Sequence, residues 1–311
     1  MKYIFVLLKN DLALAKEEVL SLINSKSCEL IENVLVLCTS KKNERISINE
    51  AAKRLAYTNS ISLLLFESDY KNFLKCMENF NWNSVYKGSF CVRIKKLFPE
   101  FSDFNNKKSN GKNAFKEIFS ESNIASYIWK NVKKPKVNPR LARAMVNLTK
   151  AGKNELILDP FCGSGGILIE AGLISLKAIG FDINKKMIWK SMVNLRHYKI
   201  KNYELEVKDF FSIDRKYKFI VSDLPYGLNA AIMGKVRITK SNKKLLKKYI
   251  EKFYFDVIKK LELILIKRAV IIFPSYVNYK KLLKKSKLKL KSEFESYVHG
   301  NLTRKILVLE K

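Results

Sequence analysis

From Glu155 to the end of the chain, apolar runs alternate with amphipathic stretches, and each of the first four runs closes on an aspartate. The runs at 156–159, 178–182, 203–208 and 218–222 lead to Asp159, Asp182, Asp209 and Asp223. Between and after them the pattern predicts helices over 165–175, 184–197, 242–266 and 277–285, and a further strand at 269–273. Strands that alternate with helices imply a mostly parallel sheet covered on both faces. Two last strands, near 288–298 and 303–310, have no helix between them and read as a terminal antiparallel hairpin. The fold expected is therefore α/β and doubly wound. In such sheets ligands bind beyond the carboxyl ends of the strands, where the strand order reverses. Four acids at four strand ends would all face that one crevice.

The first of these ends carries most of the signal. Leu156-Ile157-Leu158-Asp159 runs into Pro160-Phe161-Cys162-Gly163-Ser164-Gly165-Gly166 and then an apolar helix. Glycines let the backbone pass close to a ligand, and the helix start offers unpaired N–H groups to a carboxylate or phosphate. A dinucleotide site would want G-x-G-x-x-G, but Leu168 stands at the third glycine position. Asp182, about twenty positions on, suits two ribose hydroxyls. Asp209 and Phe210 suit the amino group and ring of an adenine. One glycine turn with three acids points to S-adenosylmethionine (SAM), with Asp159, Phe161, Gly163, Gly165, Asp182, Asp209 and Phe210 as its binding residues. A nucleotide-dependent dehydrogenase is the rival reading. For Asp182 the blander alternative is a surface acid capping the next helix, and for Cys162 a small residue filling a crowded turn.

The fourth end reads Phe219-Ile220-Val221-Ser222-Asp223-Leu224-Pro225-Tyr226-Gly227. Its Asp-Leu-Pro-Tyr resembles the (Asp/Asn)-Pro-Pro-(Tyr/Phe/Trp) signature of amino-group methyltransferases. An exocyclic amine on a base is a poor nucleophile because its lone pair delocalises into the ring. A carboxylate and a main-chain carbonyl that each accept one amine hydrogen can pyramidalise the nitrogen and aim its lone pair. Proline fixes the direction of the preceding carbonyl and brings no competing N–H. Asp223 would accept the amine hydrogen and finally the proton, Leu224 and Pro225 would set the carbonyl, and Tyr226 would stack on the base. Catalysis of this kind is alignment and electrostatics, with no covalent intermediate. A plain strand-to-turn Asp-x-Pro-Tyr-Gly is the alternative for the tetrapeptide taken alone.

Bulk properties narrow the choice. The 311 residues suffice for two cores. Five scattered cysteines, none spaced C-x-x-C, and only two histidines argue against a disulfide framework, a metal site or a catalytic triad. The longest apolar stretch, Leu261 to Phe273, is interrupted by Glu262, Lys267 and Arg268, so no membrane span is expected. The start, Met1 to Leu8, lacks a small-residue cleavage site, and a cytoplasmic location is the expectation. The formal charge is +31, and residues 235–291 hold 19 Lys+Arg against 3 Asp+Glu. A surplus gathered in one stretch favours a polyanion partner, RNA or DNA, although the lysine, asparagine and isoleucine usage also fits an AT-biased genome.

Ahead of this unit the chain reads as small α/β pieces. Strands are expected at 3–8, near 28–39 and at 61–66, with helices over about 11–25, 48–57 and 70–79. Ser89 to Lys96 alternates apolar and basic residues, as a strand with one basic face would. The polar stretch Ser102 to Lys116 reads as a loop, and Pro135 and Pro139 bracket the entry to a helix at 140–150. A boundary follows, with an N-terminal RNA-binding region over 1–130 and a methyltransferase domain over 138–311.

Four stretches carry a resemblance to a family: Ala51 to Thr58 (AAKRLAYT), Asn138 to Leu148 (NPRLARAMVNL), the Asp159 turn, and His299 to Arg304 (HGNLTR). In these the chain is similar to the archaeal tRNA (guanine(10)-N2)-methyltransferases, relatives of the eukaryotic catalytic subunit for the same position. The resemblance implies a class I Rossmann-like methyltransferase preceded by a ferredoxin-like and THUMP-containing RNA-binding region. It implies tRNA as substrate, SAM as methyl donor, N2-methyl- or N2,N2-dimethylguanosine as product, and room for a small activating subunit. Two departures stand out: Leu224 replaces the first proline of the signature, and only forty residues, 98–137, separate the basic strand from the Asn138 helix. The second suggests a trimmed RNA-binding region. Methylation of another tRNA guanosine, of ribosomal RNA or of adenine N6 in DNA is the alternative. A non-catalytic RNA-binding protein that keeps the fold is a further one. The mono- or dimethyl product and the oligomeric state are not specified by the sequence.

Overall fold

The computed structural model describes residues 2–39, 47–69, 71–81, 118–119, 137–226, 243–299 and 302–311. The basic strand expected at 89–97, the polar stretch 102–116 and Gly227 lie outside the described residues.

The N-terminal unit runs β1 (Lys2–Leu7), α1 (Leu12–Leu22), β2 (Ser27–Ile31), β3 (Val34–Cys38), α2 (Ile48–Arg54) and β4 (Thr58–Leu63). Helix α3 (Phe73–Asn79) follows, and a two-residue β5 (Ile118–Phe119) closes the sheet in the order β2-β3-β1-β4-β5. All of its pairings are antiparallel. The βαββαβ order with β1 central is the split βαβ, or ferredoxin-like, topology. β4 begins three residues earlier than the sequence pattern suggests. A register shift between Val6 and Leu7 lets Thr58 pair with Leu7, so the ladder starts at a buried polar residue.

The second unit opens with α4 (Pro139–Leu148), where Asn138 caps the helix by accepting the Arg140 N–H and Pro139 occupies the first turn. It continues β6 (Leu156–Asp159), α5 (Gly166–Leu173), β7 (Lys177–Asp182), α6 (Lys185–His197), β8 (Tyr203–Val207) and β9 (Tyr217–Asp223). After it come α7 (Lys243–Ile264), β10 (Leu265–Pro274), α8 (Tyr279–Leu283), β11 (Lys289–His299) and β12 (Leu302–Glu310). The sheet order is β11-β12-β10-β9-β6-β7-β8. β6 through β10 pair in parallel, while β12 pairs antiparallel with both β10 and β11. This is the class I methyltransferase arrangement, with the order reversing between β6 and β9.

Period-two alternation builds a core on each face of the sheet. Ile157, Phe219, Val221, Val270, Ile272, Ile306 and Val308 join the cluster that holds α4, α5 and the N-terminal unit. Leu158, Ile220, Ala269, Ile271, Phe273, Leu307 and Leu309 join the cluster on α7 and α8. Both faces are covered, which is why these strands read as unbroken apolar runs. β10 is longer than expected because its two basic residues are accommodated. Arg268 pairs with Glu310 on β12, and the Lys267 ammonium lies 5.5 Å from the centre of the Phe219 ring.

Two of the family-like stretches meet at the seam between the units. Glu18 of α1, fully buried, accepts the Ala56 and Tyr57 backbone N–H groups at the end of α2 and the Asn147 side-chain amide of α4. Arg54 donates to the Asn147 Oδ1 at 3.2 Å and to the Ala151 carbonyl at 3.1 Å, and Arg143 pairs with the buried Glu170 at 2.7 Å. Burying a carboxylate is tolerable only when its lone pairs are occupied, as they are here. The seam therefore fixes one unit on the other.

Candidate active site

The glycine turn is held from beneath. Asp159, 1% exposed, accepts the Ser222 hydroxyl at 2.6 Å and the Phe161 N–H at 3.2 Å, tying the end of β6 to the end of β9 across the switch point. Burial pushes its carboxyl up to about 7, opposed by the Ser222 and Phe161 hydrogen bonds and reinforced by Asp223 and Asp182. Cys162 is buried, and burial drives its thiol well above its ordinary range, so it fills space rather than attacking.

Gly163 (φ +54°) and Gly165 (φ +85°) both take left-handed backbone, for different reasons. A Cβ on Gly165 would stand 2.4 Å from the Ser191 hydroxyl and 3.3 Å from its Cα, so the glycine lets α6 approach the turn. A Cβ on Gly163 would meet nothing within 4 Å. That open cradle lies beside Asp182, whose Oδ2 accepts the Gly163 N–H at 3.0 Å and whose Oδ1 accepts the Asn184 N–H at 2.8 Å. A carboxylate has about four lone-pair sites, so two remain for a diol. Asp209 is exposed at the end of β8 and caps the turn over 210–212 by accepting the Phe211 N–H. The Phe210 ring, 2% exposed, packs 4.9 Å from the Phe161 ring, so it backs the pocket from the core side while Phe161 is the more open of the two. Acidic groups at three adjacent strand ends and an uncovered glycine turn fit the ribose, adenine and amino-acid parts of SAM.

Asp223, Leu224, Pro225 and Tyr226 follow at the end of β9, next to the Asp159 turn through the Ser222 bond. Leu224 resolves its own departure from the signature. Its N–H donates to the Ile272 carbonyl of β10 at 3.3 Å, a bond a proline could not make, and its side chain is buried in the core. The Pro225 carbonyl accepts the Tyr254 hydroxyl of α7 at 2.8 Å, leaving the Leu224 carbonyl as the one for a substrate amine. Tyr226 donates its hydroxyl to Asp223 Oδ1 and accepts from Arg304 Nε at 2.8 Å. Burial, with Asp223 beside it, holds the Tyr226 phenol protonated. Tyr254 and Arg304 were missed in the sequence. Tyr254 sits in a lysine-rich helix and looks like any core aromatic, and Arg304 sits in an alternating strand where a basic residue reads as solvent-facing. The HGNLTR stretch was the only signal for Arg304.

Among the described residues no helix is long and apolar enough to cross a membrane. Comparison with known proteins agrees with this geometry. The family described as RMKL-like, methyltransferase domain, matches residues 128–306, more than half of the chain. A family described as DNA methylase matches residues 7–192, a span that stops before β9 and its tetrapeptide. A tRNA (guanine(10)-N2)-dimethyltransferase of Methanothermobacter thermautotrophicus is 28% identical over 83% of this chain and 84% of its own length. One from Pyrococcus abyssi is 34% identical over 55% of this chain and 49% of its own, so the alignment spans about half of that relative. The crystal structure of TrmN from Thermus thermophilus, 17% identical, aligns over 100% of both chains with a TM-score of 0.51, which supports the fold. With the switch-point crevice, the glycine turn and the Asp-Leu-Pro-Tyr end on one sheet, the chain belongs to the RMKL-like methyltransferase family and is an S-adenosylmethionine-dependent methyltransferase.

Proposed function

We propose that this chain methylates the exocyclic N2 amine of a guanosine in tRNA, at position 10, giving N2-methyl- or N2,N2-dimethylguanosine. The observation that carries the reading is the placement of Asp223 and the Leu224 carbonyl side by side at the end of β9. They adjoin the SAM turn and are set by bonds to Ile272 and Tyr254. SAM supplies an electrophilic methyl on a sulfonium. Asp223 accepts one amine hydrogen and the Leu224 carbonyl the other, so the nitrogen lone pair points away from the ring. As the N–C bond forms, the proton displaced from the amine passes to Asp223. Tyr226 turns from Asp223 to stack on the base, and Asp182, Asp209, Phe161 and the turn from Asp159 to Gly165 hold the donor. The relatives from two archaea named for guanine-10 N2 dimethylation support the target.

The N-terminal ferredoxin-like unit, within the 1–130 region, serves in this reading as the RNA-recognition region, with 138–311 as the catalytic domain. The target base must leave its stack before Asp223 reaches it, so the partner is recognised as folded tRNA by shape and backbone. Asp223→Ala provides the test. Methyl transfer to unmodified tRNA should vanish while SAM affinity, read by calorimetry, stays within about threefold. Loss of SAM binding would move Asp223 into the donor site. A parallel incubation with duplex DNA should yield no N6-methyladenine, and its appearance would favour the DNA alternative.

A further inference from the structure

The reacting pocket contains a cation that the Asp-Leu-Pro-Tyr segment does not supply. Arg304 sits on β12, paired across the ladder with Pro274 of β10, and is 7% exposed. Its Nε donates to the Tyr226 hydroxyl at 2.8 Å, one Nη lies 3.7 Å from Asp223 Oδ2, and its guanidinium is 5.8 Å from the centre of the Tyr226 ring. Tyr226 closes the cycle by donating to Asp223 Oδ1. An arginine buried this far needs carboxylate and hydroxyl partners, and its planar fork can address two acceptors at once.

The other ionisable groups around Asp223 make the cation matter. Asp159 at the end of β6 is close enough for the two carboxylates to repel, the phenols of Tyr226 and of Tyr254 on α7 are kept protonated, and Arg304 brings the positive charge from β12. Without that charge, two acids in one half-buried crevice would share a proton near neutrality, as like charges do. In the free protein the Tyr226 hydroxyl also occupies the oxygen that a substrate amine would use. When the ring leaves to stack on a base, the arginine is the group left to hold the carboxylate.

Resting on the reading of Asp223 as amine acceptor, we propose that Arg304 is a positioning residue for methyl transfer. It keeps Asp223 ionised and aimed while Tyr226 moves from the carboxylate to the base. Arg304 touches neither the amine nor the methyl group; it acts through Asp223 and Tyr226.

The experiment reads Asp223 directly. Protein carrying ¹³C-carboxyl aspartate is titrated by NMR, with the Asp223 signal assigned by its loss in Asp223→Asn. In Arg304→Gln the Asp223 titration should move up by about one to three pH units. The acid limb of kcat on unmodified tRNA should move with it, and SAM affinity should stay within about threefold. A folded Arg304→Gln that binds SAM and leaves both the titration and the acid limb where they were would overturn the proposal. Should that variant not fold, Arg304→Lys keeps the charge and loses the fork. Its Asp223 titration should stay put while kcat drops about tenfold, the worth of one hydrogen bond in the transition state, and an undiminished kcat would overturn the positioning role. A wild-type protein that binds SAM but methylates no guanosine defeats the functional reading instead, and the titration still reports on Arg304.

Discussion

Gly163 and Gly165 are two residues apart and both left-handed, yet alanine should do opposite things at the two positions. At Gly165 the new Cβ would sit 2.4 Å from Ser191 Oγ, 3.2 Å from its Cβ and 3.3 Å from its Cα. The hydroxyl can rotate away, but the Cα belongs to α6 and can move only with the helix. Overpacking of this kind costs about 1–3 kcal/mol, and a left-handed alanine about 1–2 kcal/mol more. The total, about 2–5 kcal/mol, should lower the melting temperature by roughly 10 °C. At Gly163 nothing lies within 4 Å of the Cβ, so only the backbone term of about 1 kcal/mol applies. There the methyl group enters the cradle itself, and SAM affinity should drop by about tenfold or more, equivalent to about 1.4 kcal/mol. Thermal melts and calorimetry separate the two. The double variant Gly165→Ala with Ser191→Gly should recover the packing part of the loss and not the backbone part. Equal melting temperatures for the two single variants, or wild-type SAM affinity in Gly163→Ala, would refute the distinction between a packing glycine and a ligand-facing one.

Other consequences are as direct. Tyr226→Ala should lose far more transfer activity than Tyr226→Phe, since phenylalanine keeps the stacking face and frees the Asp223 oxygen that the hydroxyl occupies; equal losses in kcat would assign the function to the hydroxyl. The Asp159 carboxyl titrates at about 7 in the folded protein against an ordinary 3.8. The free protein therefore holds a proton that the unfolded chain has released, and its stability should fall as pH rises from about 4 to about 7. SAM is cationic and prefers the carboxylate. Its affinity should rise over the same window by up to tenfold per pH unit and level off above about 7, and Asp159→Asn should flatten that dependence. Asn147→Ala leaves Glu18 and Arg54 each short of a buried partner, costing about 1–3 kcal/mol. If the seam orients the N-terminal unit, KM for tRNA should rise more than the SAM dissociation constant, and equal changes would mean a purely structural seam.

Much of this was readable in the chain because the doubly wound sheet leaves a strong imprint. A strand buried on both faces is apolar throughout, and its end is announced by the residue that meets the crevice. Asp159, Asp182, Asp209 and Asp223 are all where their runs predicted. The ferredoxin-like unit was less legible, because half-buried strands such as β4 take their start from a register shift. Least legible were the partners. Glu18 lies on α1, where the apolar face predicted from Leu12, Ala15, Val19, Leu22 and Ile23 says nothing of a buried acid. Its reason is a pair of orphan N–H groups 38 and 39 residues away and an amide 129 residues away. Arg304 and Tyr254 likewise serve the tetrapeptide from 78 and 29 residues off. Periodicity reports which face of an element is buried, not which polar group on another element it must satisfy. The family-like stretches at 51–58, 138–148 and 299–304 held that information without its geometry, and the fold joins the first two at the seam and brings the third to the reacting pocket.

The central claim is tested most directly with labelled SAM and two unmodified tRNA transcripts that differ only at position 10, guanosine in one and adenosine in the other. Products are digested to nucleosides and identified by mass. The account predicts N2-methylated guanosine from the first transcript and none from the second. Methylation of both would keep the chemistry and contradict the site, and methylation of neither by a protein that binds SAM would contradict the account as it stands.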